Sequence, residues 1–252
     1  MEYFVRKESI VRRIWGRSDI ILFIFAGASA EFALNKAVDW LYFTGKLPSD
    51  PLGRLFSTVS YAREIVFSTQ ENAHSAIDKI KTIHQAVEHD RGDKIPDWAY
   101  RDVLFMLIYY SKAAFELLER KMSPDEKEEL YQVFYRVGVC MGLKELPENY
   151  EDWLPVRQSH LERDLEKSNL SVDLFKQYRK HLGAFRYRML IEAQKLVVPK
   201  RVRSLLGFNP VHWLRPSVPV YKLSKKLGLD RMIKDLLLPS DYKSQIHALD
   251  IN

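Results

Sequence analysis

The sequence predicts an all-α protein, a single globular domain over residues 1–252 built of about ten helices. Three observations predict it. Apolar residues recur every three to four positions along most of the chain. Helix starts and stops punctuate the runs: Ser, Asp or Pro ahead of them, Gly or Pro behind. No alternating run of β-branched residues competes as a strand. At 252 residues, 46% hydrophobic and 29% charged, the chain is long and apolar enough to bury a core without staples. No segment repeats at a fixed period.

Residues 8–18 read as a short amphipathic basic helix and residues 19–43 as one long apolar helix. Leu47-Pro48-Ser49-Asp50-Pro51 interrupts it, because proline fixes φ and disfavours helix just before itself. Ser49 or Asp50 then caps a helix over 51–66, with Pro51 in its first turn. Another helix covers 70–89 and ends in the turn cluster Arg91–Pro96. Asp97 caps a long apolar helix that runs to Arg120. Ser123-Pro124-Asp125-Glu126 opens the next: a Ser cap, Pro in first place, acids in the first turn. That helix carries Tyr131, Phe134 and Val137 and ends near Gly142. A connection from Leu146 to Pro155 leads to helices over 156–168 and 171–182; a further helix over 184–198 is stopped by Pro199. Prolines 210, 216, 219 and 239 divide the tail into two or three short helices.

One cysteine, Cys140, excludes an internal disulfide framework and any CxxC metal site, and points to a reducing, cytoplasmic setting. The N-terminal segment is charged and has no signal-peptide core. The most apolar stretch, Ile20–Leu34, contains Glu31 and falls short of the roughly 18 apolar residues of a spanning helix. The sequon at Asn169 has no secretory context and reads as chance. Net charge is +6, unevenly spread: residues 176–252 hold 16 basic groups against 5 acidic, residues 116–175 hold 8 against 14. A solvated surface balanced by the acidic middle accounts for this; peripheral contact of the basic C-terminal segment with a membrane is the alternative. No nucleic-acid motif accompanies the charge, and none of GxSxG, HExxH, a P-loop or GxGxxG is present.

Two neighbouring helices carry candidate chemistry. On 70–89, Ala73, Ile77, Ile80 and Val87 form one stripe, and His84 lies within it. An inward histidine is either a hydrogen-bonded core residue or a metal ligand, since an unpaired buried nitrogen is costly. On 51–66, Arg54, Ser57, Thr58 and Tyr61 share a face by their i, i+3, i+4, i+7 spacing. That polar stripe either faces solvent or lines a pocket for an anionic or oxygen-rich ligand, which the planar donors of Arg suit. The other histidines (74, 89, 160, 181, 212 and 247) lack ligand spacing. Phe105, Met106, Tyr109 and Tyr110 form an aromatic patch read as core, with a cofactor wall as the alternative.

The run Asp50-Pro51-Leu52-Gly53-Arg54-Leu55-Phe56-Ser57-Thr58 resembles the DPxxRLxxT signature of the MpaB/rubber-oxygenase (latex clearing protein) family. Val66-Phe67-Ser68 resembles its VFG, and Ile80–Val87, with His84 inside, its VRxxHxxV helix. Met122–Glu126, Gly142-Leu143 and Val198–Phe208 are similar to its later motifs, so the likeness covers about residues 20–210 in order. The resemblance implies a globin-like helical fold around one b-type haem. It implies His84 as the proximal iron ligand, with Arg54 and Thr58 on the distal side and Ser57 between them; Tyr61 joins the cofactor-binding set through the face it shares with them. It also implies O2-dependent cleavage of a C=C bond in an apolar, isoprenoid-like substrate. Three departures stand out. Ser57 occupies the place of a lysine that can reach the iron; Val103–Met106 lacks the histidine of the family's WVHA; no clear match exists for the distal glutamate, although Glu31 and Asp39 lie upstream at workable distances. The alternatives are a haem-binding protein without turnover and a non-catalytic helical module docking on a membrane or protein.

Overall fold

Eleven helices and no sheet make up the computed structural model, which describes residues 2–45, 49–226 and 250. They are α1 (Ile10–Trp15), α2 (Ser18–Phe32), α3 (Val38–Phe43), α4 (Pro51–Phe67), α5 (Gln70–Arg91), α6 (Asp97–Leu118), α7 (Pro124–Met141), α8 (Tyr150–Arg163), α9 (Asn169–Val197), α10 (Lys200–Leu206) and α11 (Ser217–Lys226). Leu47 and Pro48 of the expected break, and residues 227–249 of the tail with Pro239 and His247, lie outside the described residues.

The central pair is α2 against α6. Helix α2 buries Ile20, Ile21 and Ile24; α6 buries Phe105, Ile108 and Phe115. The aromatic patch on α6 is therefore core, as expected, although Met106 also reaches a cavity. Gly27 sets how closely the two helices approach: a Cβ there would fall 2.2 Å from Tyr110 ring carbons. Tyr110 is buried and its hydroxyl donates to Glu31 Oε2 at 2.9 Å, so the ring cannot swing aside freely. Gly27→Ala should cost about 1–3 kcal/mol of stability by overpacking. Urea denaturation reads this; a variant as stable as the parent would contradict the close approach.

Local chemistry explains where the elements depart from expectation. The apolar run 19–43 is two helices, not one. Asn35 Oδ1 accepts from the Ala37 amide at 2.8 Å and its Nδ2 donates to Asp102 at 2.7 Å, so the side chain takes the backbone out of the helix. The opened strand of chain pairs with Leu165 in an isolated bridge. The first helix is amphipathic and basic as expected but spans only 10–15: Ile10, Val11, Ile14 and Trp15 are buried while Arg13 is exposed. Pro96, not Asp97, occupies the cap position of α6. Helix α8 begins at Tyr150 rather than 156, capped by Asn149 accepting from Asp152 N at 2.9 Å. Pro155 forfeits one backbone bond early in α8, and burial of Tyr150, Trp153 and Arg157 outweighs that loss. The gap expected between 182 and 184 is a kink at Gly183 (φ 72°, ψ 170°) within α9. The capping box at Ser123 and Glu126 stands as read from the sequence. No helix among the described residues is long and apolar enough to cross a membrane.

Candidate functional site

Asp50 starts α4: its side chain accepts from the Gly53 amide at 2.8 Å, with Pro51 in the first turn. Only Ser68 and Thr69 separate α4 from α5, and Thr69 caps α5. A link that short folds the two helices back along each other. Arg54 lies 14 residues before Ser68 and His84 lies 15 after Thr69, so each is about 21–23 Å from the turn and they sit at one level.

That level opens on a cavity of about 770 Å³. Arg54, Thr58 and Tyr61 reach it from α4, and His84 from α5. Its remaining walls are chiefly apolar and come from α2, α3, α6, α7, α9 and α11, with Phe23, Leu107, Met189 and Val218 among them. Helix α9 adds Arg186. The volume lies in the range of small-molecule and cofactor sites.

Ser57 is not among the lining residues. Its Oγ donates to the Arg54 carbonyl at 2.8 Å and accepts from Arg54 Nη1 at 3.3 Å. It therefore ties one terminal nitrogen of the guanidinium to its own helix. Thr58 Oγ1 also donates to the Arg54 carbonyl, at 3.2 Å, while the residue faces the cavity. Burial lowers the pKa of Arg54, and Tyr61 opposes that shift. The guanidinium stays charged all the same. No carboxylate among the described residues pairs with it.

His84 is half-buried, its ring 5.1 Å from that of Tyr100 in an edge-on contact. The Tyr100 hydroxyl donates to Glu88 Oε1 at 3.1 Å, which fixes the ring against the imidazole. Nδ1 of His84 is buried with no hydrogen-bond partner. Burial, reinforced by Arg54 and opposed by Glu88, lowers the His84 pKa from 6.5 to about 4. The imidazole is thus neutral at pH 7, with a nitrogen lone pair available for a metal.

This depressed pKa has a definite sign in stability. Between pH 6.5 and about 4 the unfolded chain binds a proton at residue 84 that the folded chain refuses. Its contribution is therefore intact above pH 6.5 and is lost as pH falls toward 4. In the ligand-free protein, the His84 ring should titrate near pH 4 by NMR. The fall in urea midpoint over this window should be shallower in His84→Ala. A His84 midpoint near 6.5 would contradict the burial.

The upstream acids serve elsewhere. Asp39 pairs with Arg91 at 2.7 Å. Glu31 is buried and takes Arg157 Nη2 on both oxygens, at 2.5 and 2.6 Å, with Tyr110 as a third partner. His160, set aside from sequence spacing, is also buried. Its Nδ1 hydrogen-bonds Asp102 and lies 3.5 Å from Asp164 Oδ2. These three groups could hold a metal by donor type. Asn35 and Arg163 already occupy the two carboxylates, so the set reads as a polar lock joining α6, α8 and the α2–α3 turn. The sequence signals were Asp164 one turn after His160 and a charge inside an apolar helix at Glu31. Asp102, 58 residues from His160, gave none. His74 meets the Phe4 ring edge-on, His212 contacts Arg203, and His89 and His181 are exposed.

A family model described as "ER-bound oxygenase mpaB/B'/Rubber oxygenase, catalytic domain" matches residues 12–222. No curated protein matches the sequence.

Proposed function

The chain belongs to the MpaB/rubber-oxygenase catalytic-domain family, and on that premise we propose that it is a haem-dependent oxygenase acting on an apolar, isoprenoid-like olefin. One observation carries the reading. A neutral imidazole without a partner and a guanidinium without a carboxylate share one apolar cavity.

These residues fit a b-type haem. His84 would offer an uncharged nitrogen to its iron, and the apolar walls suit a flat macrocycle. Haem, when bound, supplies the activation of O2. The chain supplies the rest. Arg54 brings fixed positive charge and donors for anionic oxygen within the cavity, held at one terminal nitrogen by Ser57. Thr58 adds a hydroxyl on the same wall, and Tyr61 a phenol one turn on. With serine at 57, this helix presents no amine on the distal side. Phe23, Leu107 and Met189 exclude water and give a hydrocarbon its surface. The single cysteine supports a reducing, cytoplasmic setting.

The overall change, one olefin and one O2 giving two carbonyl compounds, balances without an external reductant. Oxygen uptake by the haem-loaded protein with an isoprenoid olefin tests it, with carbonyl products trapped by a hydrazine. Uptake matched by carbonyl formation supports the oxygenase. Haem bound without uptake would leave a carrier.

A further inference from the structure

Residues 176–226 hold thirteen Lys and Arg against one acid, Glu192. From 227 to 252 the chain has three basic and four acidic groups, so the whole C-terminal charge excess lies in α9, α10, α11 and their connections. The same segment leaves large apolar side chains uncovered: Phe185, Trp213, Val220 and Leu223 are 45–65% exposed. Val220 borders the cavity, and Phe185, Trp213 and Leu223 lie within two residues of side chains that line it. Val220 lines the cavity while remaining 65% exposed, and Leu214 and Arg186 line it beside Trp213 and Phe185. Helix α11 turns Val218 and Tyr221 into the cavity, leaves Val220 on its rim and turns Leu223 to solvent. Arg188 lays its guanidinium 5.6 Å from the Trp213 ring. Arg188 and Arg215 are exposed, and neither forms an ion pair among the described residues.

We infer that this rim docks on an anionic lipid bilayer. Phe185, Trp213, Val220 and Leu223 enter the interfacial layer, and Arg188 and Arg215 meet lipid phosphates. The cavity mouth then faces the membrane, and an apolar ligand dissolved there reaches the cavity without crossing water. Two features select lipid over other partners. A nucleic acid would satisfy the cations but leave four large apolar groups in water. A second copy would set one strongly cationic face against another. The inference holds whether or not the cavity carries haem.

Flotation of the full chain, with and without haem, on phosphatidylcholine vesicles and on phosphatidylcholine–phosphatidylglycerol vesicles tests it. Binding should favour the anionic vesicles by about tenfold or more and weaken with salt. Brominated lipid should quench tryptophan emission, and Trp213→Phe should remove that quenching. Arg188→Glu with Arg215→Glu, and separately Phe185→Ser with Leu223→Ser, should each lower partitioning by about tenfold or more. Lys144→Glu and Val139→Ser, exposed elsewhere, should leave it unchanged. Far-UV circular dichroism checks that each variant is folded. Equal partitioning to neutral and anionic vesicles, absence of bromolipid quenching, binding of duplex DNA in place of vesicles, or self-association through these residues would each overturn the inference.

Discussion

His84→Ala should abolish the Soret band of the haem-supplied protein, or weaken haem affinity by more than about a hundredfold, and take oxygen uptake with it. Loss of a ligand's supporting hydrogen bond alone costs roughly 10–100-fold, and removing the ligating nitrogen removes more. The fold should survive. Nδ1 has no hydrogen bond to lose, the ring borders a cavity, and alanine favours the interior of α5. The change in unfolding free energy should stay below about 1 kcal/mol. Added imidazole should restore a Soret band in the variant, because the gap left by the ring is the size of the free base. An intact band in His84→Ala would place the ligand elsewhere.

Arg157→Ala should be the most destabilising single change in the molecule, at about 3–5 kcal/mol. The guanidinium makes two contacts to Glu31, at 2.5 and 2.6 Å, and both side chains are at most 5% exposed. Its loss leaves a carboxylate inside the core with only the Tyr110 hydroxyl for company. At this chain length the melting temperature should fall on the order of 10 °C. The partner test is sharper. Glu31→Leu combined with Arg157→Met should be less harmful than either single change, because an apolar pair avoids the stranded charge. Single variants as stable as the parent would mean that water reaches this pair.

The site was legible in part because its two key residues lie on one hairpin. Cap and turn signals at Asp50-Pro51 and in the Arg91–Pro96 cluster mark the outer ends of α4 and α5, and helical spacing puts Arg54, Thr58 and Tyr61 on one face and His84 inward. A two-residue link then fixes their shared level. Helix periodicity says which side of a helix is buried, but not which helix lies opposite. The walls from α9 and α11, including Arg186 and Val218, come from more than 90 residues downstream of His84 and carried no signal. Ser57 shared the polar face yet bonds its own helix, a choice between two hydrogen-bond partners that spacing cannot make. Asn35 and Pro155 misled for opposite reasons. Asn35 ends a helix inside an apolar run because Asp102 and Ala37 claim its side chain. Pro155 fails to end one because buried aromatic residues hold α8 together around it.

Titration of the purified full chain with haem, followed by absorbance, tests the central claim most directly. A Soret band that saturates at one haem per chain, and persists at pH 5.5 because His84 stays neutral there, is the result expected. A chain that leaves the haem spectrum unchanged would contradict it.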